Sequence, residues 1–273
     1  MPYTLLFFTA LSLIFSYMGI LSLSIFFGWV AVVRLLNRMA SQLPFKNQIH
    51  WAHAMTFEFL AVVGVIFLRL IPSRHKFSGT SRPMLLVHGY VNHPNVWWLQ
   101  KRWLKSMGLG PIYVINLGHP FKSIRSYAEK VKVKAEEIAK ETGREDLTLI
   151  GHSMGGLVSS WYATKLAKKG TVRDLITIAS PLEGTPMARI GIGANAREMS
   201  PNSEFIKELR VSIRENQSIH FHHIATRRDQ LVIPGTSALI ENHNQYLFDD
   251  LGHASLLYSK RTAEQIAERV SGN

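Results

Sequence analysis

The residues with the clearest chemical potential form the segment "GHSMG", Gly151 to Gly155, which has the pattern G-x-S-x-G. The segment follows the apolar run "DLTLI" and precedes a run with helical spacing, so Ser153 lies at a sharp change from strand to helix. A serine at such a bend, a nucleophile elbow, has its hydroxyl held out toward a substrate. Glycine and serine are also common turn residues, so this interpretation depends on partner residues elsewhere in the chain.

The first partner that a nucleophilic serine needs is a base, since its hydroxyl is a weak nucleophile until a histidine accepts the proton. His253 lies on a loop just before the last predicted helix, after all the predicted strands. His152 is too close in the chain to Ser153 to fold back on it. His222 and His223 lie within a strand pattern. We therefore predict that His253 is the base.

The second partner is an acid that accepts the imidazole N–H and stabilises the imidazolium. Asp229 directly follows the predicted strand "IHFHHIAT", at the edge of a parallel sheet where reacting groups gather. Asp249 and Asp250 are alternatives, but they lie within four residues of His253, a spacing less suited to support from a separate strand. Asp174 begins a strand and belongs to the opposite edge. We predict Asp229 as the acid.

An oxyanion intermediate also needs hydrogen-bond donors, each typically contributing about 3–4 kcal/mol. In the G-x-S-x-G arrangement one donor is the backbone N–H after the serine, which is Met154 here. The other comes from the loop after the first core strand, and we assign it to the backbone N–H of Tyr90. Gly89, Gly151 and Gly155 are predicted to allow the close turns around the serine.

The elements that must position these groups alternate between short apolar runs and amphipathic helices after Ser73. This alternation is typical of an α/β fold with a mostly parallel sheet and helices on both faces. Gly143 is a predicted C-cap of one helix. The predicted strands are "PMLLVHGY", "PIYVINL", "DLTLIG", "VRDLITIAS" and "IHFHHIAT".

The N-terminal part of the chain differs from the rest in composition. Pro2–Val33 contains no charged side chain and is long enough to span a bilayer, and no basic residue precedes it as in a signal peptide. A second apolar run, Met55–Ile71, is interpreted as a second span or as a helix in the membrane interface, although Glu58 within it is costly in a bilayer. We predict a membrane-anchor region of one or two hydrophobic helices in residues 1–72 and a catalytic domain in residues 73–273.

The charge and composition of the chain limit the classes of partner and cofactor that it is expected to bind. The chain has a formal net charge of +12, which favours nucleic acid, a membrane surface or an anionic substrate. It has no nucleic-acid-binding motif, so nucleic acid is not expected as a partner. It contains no cysteine, which excludes disulfides and cysteine zinc sites, and no metal or cofactor is expected.

The orientation in the membrane follows from basic residues. Arg34, Arg38 and Lys46 lie between the two apolar runs and favour the cytoplasm. If both runs span, the catalytic domain lies outside, although basic residues after the second run favour the opposite arrangement. We expect a bacterial inner-membrane protein, with the periplasmic side favoured for the catalytic domain.

Five segments occur in the order and with the roles seen in bacterial triacylglycerol lipases and related esterases of the α/β-hydrolase superfamily. They are "LLVHGY", "LIGHSMGGLVS", "LITIASPLEGTPMA", "TRRDQLVIP" and "GHASLLYS". From about Pro83 to Val270 the chain resembles this group. The resemblance implies an α/β-hydrolase fold with this assignment of residues: Ser153 as nucleophile, Asp229 as acid, His253 as base, and Tyr90 and Met154 as oxyanion donors.

The expected activity is therefore that of a membrane-anchored serine hydrolase that cleaves lipid or acyl esters through an acyl-enzyme. An acyltransferase or a thioesterase could use the same three residues. A non-catalytic membrane interaction module is the alternative from another class, because function depends on the site and not on the fold.

The small residues of Gly191–Pro201 suggest a flexible lid. The sequence does not indicate the oligomeric state.

Overall fold

The computed structural model describes residues 48–68, 76–77, 79 and 81–271, together with Gly28. Within these residues, seven strands form one sheet in the order β1-β3-β2-β4-β5-β6-β7. Strand β1 runs antiparallel to its neighbour and all other neighbours are parallel. The strands are β1 (Lys76–Phe77), β2 (Met84–Val87), β3 (Ile112–Ile115), β4 (Leu147–His152), β5 (Val172–Ile178), β6 (His220–Thr226) and β7 (Asn244–Phe248).

The α-helices connect the strands and cover both faces of the sheet, as expected for this α/β class. They are α1 (Gln48–Leu68), α2 (Trp98–Ser106), α3 (Ile124–Thr142), α4 (Met154–Trp161), α5 (Ala194–Glu198), α6 (Glu204–Glu215) and α7 (Lys260–Ser271). Ser123 caps the start of α3 by accepting a hydrogen bond from the N–H of Ser126. Gly143 ends the same helix with a φ of 68°, which confirms the predicted C-cap.

Alternate residues of each central strand point into two separate cores, because successive strand side chains face opposite sides. Leu85 and Val87 of β2 pack into the core covered by α3, α4 and α6. Met84 and Leu86 pack into the core covered by α2 and α7. Burial on both faces explains why these strands read as continuous apolar runs instead of alternating patterns.

Helix α1 belongs to the same compact unit as the sheet, a unit that extends over Lys46–Asn273. Ala54, Glu58 and Ala61 are buried and recur at helical spacing, so they share the face that contacts the domain. At the end of the helix, the side chain of Asn95 donates a hydrogen bond of 2.8 Å to the carbonyl of Leu68. The helix therefore packs on the domain from Ala54 to Leu68.

This packing bears on the predicted membrane region. Among the residues that the structure describes, no helix is long and apolar enough to cross a membrane. A second span at Met55–Ile71 is therefore not supported: the described part of this run lies in α1, and its Glu58 is buried against protein. The longer run Pro2–Val33 lies outside the described residues, apart from Gly28.

A buried ion pair lies at the edge of the sheet where the strands begin. Asp174 of β5 is fully buried and pairs with the guanidinium of Arg82, which also contacts Asp146 at 3.0 Å. Burial by itself would raise the pKa of Asp174, but His222, Arg82 and His220 outweigh it and the pKa lies below its usual range. The ionised carboxylate thus contributes stability above the pKa of an unfolded aspartate, and this is lost as the pH falls through the folded pKa.

We expect Asp174→Asn to lower the free energy of unfolding by about 3 kcal/mol, because Arg82 would keep its charge without its buried partner. Urea unfolding followed by tryptophan fluorescence measures the change. Glu137→Gln removes an exposed partner of Lys134 and serves as the control, with an expected loss below about 1 kcal/mol. Equal losses in the two variants would contradict a structural role for the buried pair.

Candidate active site

Ser153 occupies the sharp bend between β4 and α4, with φ 57° and ψ −128°. A positive φ is costly for a residue with a side chain, and such strain persists only where the surroundings enforce it. The N–H of Ser153 donates to the carbonyl of Ile178 at 2.8 Å, and its carbonyl accepts from Gly156 at 3.0 Å. The side chain is partly exposed. Ser153 thus lies at a strained bend from strand to helix, as predicted, and its role as nucleophile stays a prediction.

At each of the three glycines of the predicted site, other atoms of the protein lie too close to leave room for a side chain. A Cβ at Gly151 would lie 2.5 Å from the backbone of Gly155, and one at Gly155 would overlap the carbonyl of Val87. A Cβ at Gly89 would lie 2.9 Å from the Cβ of Ser153 and 3.4 Å from its Oγ. The strand, the helix and the loop after β2 can therefore meet at the serine only because these positions lack side chains.

The structure brings Asp229 and His253 together. The Nδ1 of His253 lies 2.9 Å from both carboxylate oxygens of Asp229. Asp229 Oδ1 also accepts backbone hydrogen bonds from Leu231 at 2.8 Å and Val232 at 2.7 Å. Because a carboxylate only accepts, Nδ1 carries the proton and the other ring nitrogen, Nε2, is left to accept one. Asp249, one of the rival acids, instead contacts Arg227 at 2.9 Å.

Hydrogen bonds also fix the backbone of His253. Its N–H donates to the side-chain oxygen of Gln230 at 3.0 Å. Its carbonyl lies 3.1 Å from Nε2 of His152, which must be the donor because a carbonyl only accepts. Burial, and then the nearby His253, lower the pKa of His152 well below its usual range, so this imidazole is neutral. His152 thus supports the base and does not compete with it.

The electrostatics of the site favour a charged His253. Burial alone would lower the pKa of this imidazole, but the charge and hydrogen bond of Asp229, with the charge of Glu58, outweigh burial and raise it. An imidazole with nearby negative charge is a stronger base and stabilises the proton that it accepts. Such an imidazole can take a proton from a hydroxyl that reaches its Nε2 and return it to a leaving group.

Each of the two predicted oxyanion donors is next in the chain to a residue at this bend. Met154 is the first residue of α4, where backbone N–H groups have no acceptor within the helix. Tyr90 follows Gly89, the residue that passes closest to Ser153. Their role as donors stays a prediction. The described residues contain no group of three or more His, Asp or Glu side chains arranged to hold a metal ion.

The loop after β2 is joined to the segment predicted as a lid. The hydroxyl of Tyr90 donates to the carbonyl of Ile192 at 2.8 Å and accepts from its N–H at 2.9 Å. The side chain of Asn195, in α5, donates to the carbonyl of Pro120 at 2.8 Å. Ile190 and Ile192 are 68% and 67% exposed. Ala194, Glu198 and Met199 of the segment also hydrogen-bond to other parts of the chain. The segment is therefore held at several points, and exposed apolar side chains lie just before α5.

One residue at the site was missed by the sequence analysis. Glu58 of α1 accepts hydrogen bonds from the N–H groups of Ala254 at 2.7 Å and Ser255 at 2.9 Å, next to His253. The sequence did contain an indication of this role, because a buried acidic residue in an apolar helix is costly unless a polar group binds it. It did not indicate which part of the chain provides that partner.

Comparisons with known proteins agree with this geometry. The family described as "PGAP1-like alpha/beta domain" matches residues 122–246, less than half of the chain. Triacylglycerol lipases of Pseudarthrobacter phenanthrenivorans and Burkholderia plantarii are each 30% identical over 121 residues, or 41% of this chain. The matched parts are 37% and 33% of those lipases, so the chain spans about a third of their length.

Solved structures extend the similarity to more of the chain. Aspergillus fumigatus lipase B has a TM-score of 0.62 and 18% identity, covering 75% of this chain and 57% of the lipase. The mature Bacillus licheniformis lipase BlEst2 has a TM-score of 0.62 and 15% identity, covering 73% of this chain and 95% of the lipase. These similarities confirm the predicted fold class, a mostly parallel sheet with helices on both faces.

We expect the imidazole of His253 to titrate above the ordinary histidine pKa of about 6.5, because two negative charges face it. Asp229→Asn should lower this pKa by removing the charge that is hydrogen-bonded to the ring. Nitrogen-15 NMR of histidine-labelled protein measures the titration, with the signal assigned by its loss in His253→Gln. Asp249→Asn is the matched control and should leave the titration unchanged. An equal shift in both variants would rule out the assignment of Asp229.

Proposed function

We propose that this α/β-hydrolase, which resembles lipases and esterases, is a serine hydrolase that cleaves carboxylic esters with Ser153, His253 and Asp229. The observation that carries the proposal is the buried hydrogen bond between Asp229 and His253, in a chain whose strained elbow bears Ser153. The order along the chain, serine then acid then histidine, is that of the fold. The lipase names of the relatives support the same reaction class.

In the proposed reaction, Ser153 Oγ attacks the ester carbonyl while His253 Nε2 accepts the hydroxyl proton. The backbone N–H groups of Tyr90 and Met154 stabilise the oxyanion that forms. His253 then gives the proton to the leaving alcohol, and an acyl group remains on Ser153. Water, with its proton taken by His253, attacks this acyl-enzyme, and the acid is released as Ser153 regains its proton.

We propose that the substrate is a lipid or another acyl ester. Apolar side chains are exposed on segments that adjoin the proposed site, and such surface favours an apolar ligand. Val91 follows Tyr90 and is 42% exposed, and Leu231 follows Asp229 by two residues and is 40% exposed. Ile192 is hydrogen-bonded to Tyr90 through its backbone and is also exposed. The apolar chain of an ester would contact these residues.

We further propose that Pro2–Val33 anchors the enzyme in a membrane, since 32 residues without a charge exceed the length that a bilayer requires. An anchor would hold the site beside its lipid substrate. The expectation of a periplasmic catalytic domain assumed that Met55–Ile71 also spans, whereas α1 packs against the domain. Protease protection in spheroplasts decides which side carries the domain.

We expect a fluorophosphonate probe to label the wild-type protein and not Ser153→Ala, because only an activated serine reacts with it. Ester hydrolysis should fall about 10⁴-fold or more in the same variant. In Asp229→Asn, labelling should become slower by a similar factor, because the imidazole loses its orientation and charge partner. Gel fluorescence of isolated membranes measures the labelling.

The control for this experiment is Ser212→Ala, which removes a hydroxyl from α6 and should label as the wild type does. Folded wild-type protein that fails to label would contradict the proposed function and favour a non-catalytic interaction module. Labelling without ester hydrolysis would indicate instead that the acyl group is transferred to another acceptor or arrives as a thioester.

We expect the full-length protein to remain with membranes after extraction with alkaline carbonate. Replacing Leu13 and Ile14 with arginine should release part of it, because each charge near the centre of a span costs about 2.5–3.5 kcal/mol. Replacing Leu13 and Ile14 with alanine is the matched control and should leave the protein in the membrane fraction. Complete release of the wild-type protein would contradict the proposed anchor.

A further inference from the structure

The carboxylate of Glu58 reaches from α1 to the loop that carries His253. One oxygen accepts from the N–H of Ala254 at 2.7 Å and the other from the N–H of Ser255 at 2.9 Å. Only 6% of the Glu58 residue is exposed. Two hydrogen bonds to consecutive amides fix both the position and the tilt of the backbone that follows His253.

The loop is restrained on its other sides as well. The N–H of Gly252 donates to the hydroxyl of Ser255 at 2.6 Å, and the N–H of His253 donates to Gln230 at 3.0 Å. A Cβ at Gly252 would lie 2.5 Å from Oε2 of Glu58, so the loop and the carboxylate are in close contact. The imidazole therefore projects from a backbone that Glu58 holds on one side and Gln230 on the other.

Helix α1 can bring a carboxylate this deep because the neighbouring residues on its buried face are small. Ala54 and Ala61 lie one turn before and about one turn after Glu58 and are nearly fully buried. Their small side chains let the helix backbone approach the domain closely. The helix is thus a structural part of the proposed site, although most of its residues are apolar.

We propose that Glu58 is a positioning residue that holds the loop of His253 and places a second negative charge beside the imidazole. The proposal rests on the proposed function for its catalytic consequence, since positioning matters through the proton transfers of His253. Asp229 orients the ring through Nδ1, whereas Glu58 orients the backbone from which the ring projects. Proton transfer depends on both, because small displacements of a base are costly in rate.

The charged and titratable groups around this pair define the expected pH behaviour. Asp229, Glu58 and His152 face His253, and His253, Asp229 and Tyr258 face Glu58. Burial raises the pKa of Glu58 above its usual range, although His253 and the two amides oppose this. Protonation of Glu58 as the pH falls would remove a charge that favours the imidazolium, and the pKa of His253 would then decrease.

Two substitutions in the full-length protein separate position from charge. Glu58→Gln keeps the size of the side chain but removes the charge and leaves one acceptor oxygen for two amides. Glu58→Asp keeps the charge but withdraws the carboxylate by one methylene. We expect both to lower kcat for a short soluble ester about tenfold or more, with KM changed less than twofold. Only Glu58→Gln should move the acid limb of the kcat/KM profile to lower pH.

A variant on the opposite side of the contact tests the same interaction without altering Glu58. Gly252→Ala places a methyl group 2.5 Å from the Glu58 carboxylate and 2.8 Å from the side-chain nitrogen of Gln230, so it disturbs both supports of the loop and should also lower kcat. The matched control is Glu264→Gln, which removes a half-exposed carboxylate paired with Lys260 on α7 and should not change kcat or the pH profile. If Glu58→Gln fails to fold, Glu58→Asp decides the proposal.

Nitrogen-15 NMR titration of His253 keeps this test separate from the proposed function. If the wild-type protein lacks esterase activity, the proposed function fails, but a lower His253 pKa in Glu58→Gln still supports the contact. An unchanged His253 titration in folded Glu58→Gln overturns the proposal that the charge of Glu58 acts on the imidazole. Wild-type kcat in Glu58→Gln or in Glu58→Asp overturns the positioning role.

Discussion

The organisation of the site depends on the buried hydrogen bond between Asp229 and His253. Burying a carboxylate and an imidazole away from water is costly unless their other hydrogen-bonding atoms also have partners. The amides of Leu231 and Val232 satisfy the carboxylate, and Gln230 and His152 satisfy the backbone of His253. Each of these groups has to lie within hydrogen-bond distance of the pair. The loops after β6 and β7 are therefore restrained together.

A second constraint is steric and lies at the crossing of β4, α4 and the loop after β2. Glycines at positions 89, 151 and 155 leave no space for a Cβ, and Ser153 adopts a strained conformation at their centre. Close approach of three backbone segments brings the serine hydroxyl and the start of a helix into one small volume. The parallel sheet makes this possible, because all of its central strands end at the same edge.

Helix α1 shows how the regions of the chain depend on one another. Its composition resembles a membrane segment, yet it packs on the domain and brings Glu58 to the loop of His253. Hydropathy averages over a window and does not distinguish an apolar helix covered by protein from one covered by lipid. A single acidic residue lowers the average only slightly, yet in this helix it lies on the buried face and makes the contact with the loop of His253.

The sequence by itself determined the α/β class, most of the strands, the elbow at Ser153 and the pairing of Asp229 with His253. These features follow from local patterns, or from the order of motifs along the chain, and both are present in the primary structure. Strands β1 and β7 and the contacts of Glu58 required the tertiary structure. Glu58 and Ala254 are 196 residues apart, and no periodicity links them. Their contact arises from the packing of α1 on the domain, and only the folded chain specifies which distant amides a buried carboxylate meets.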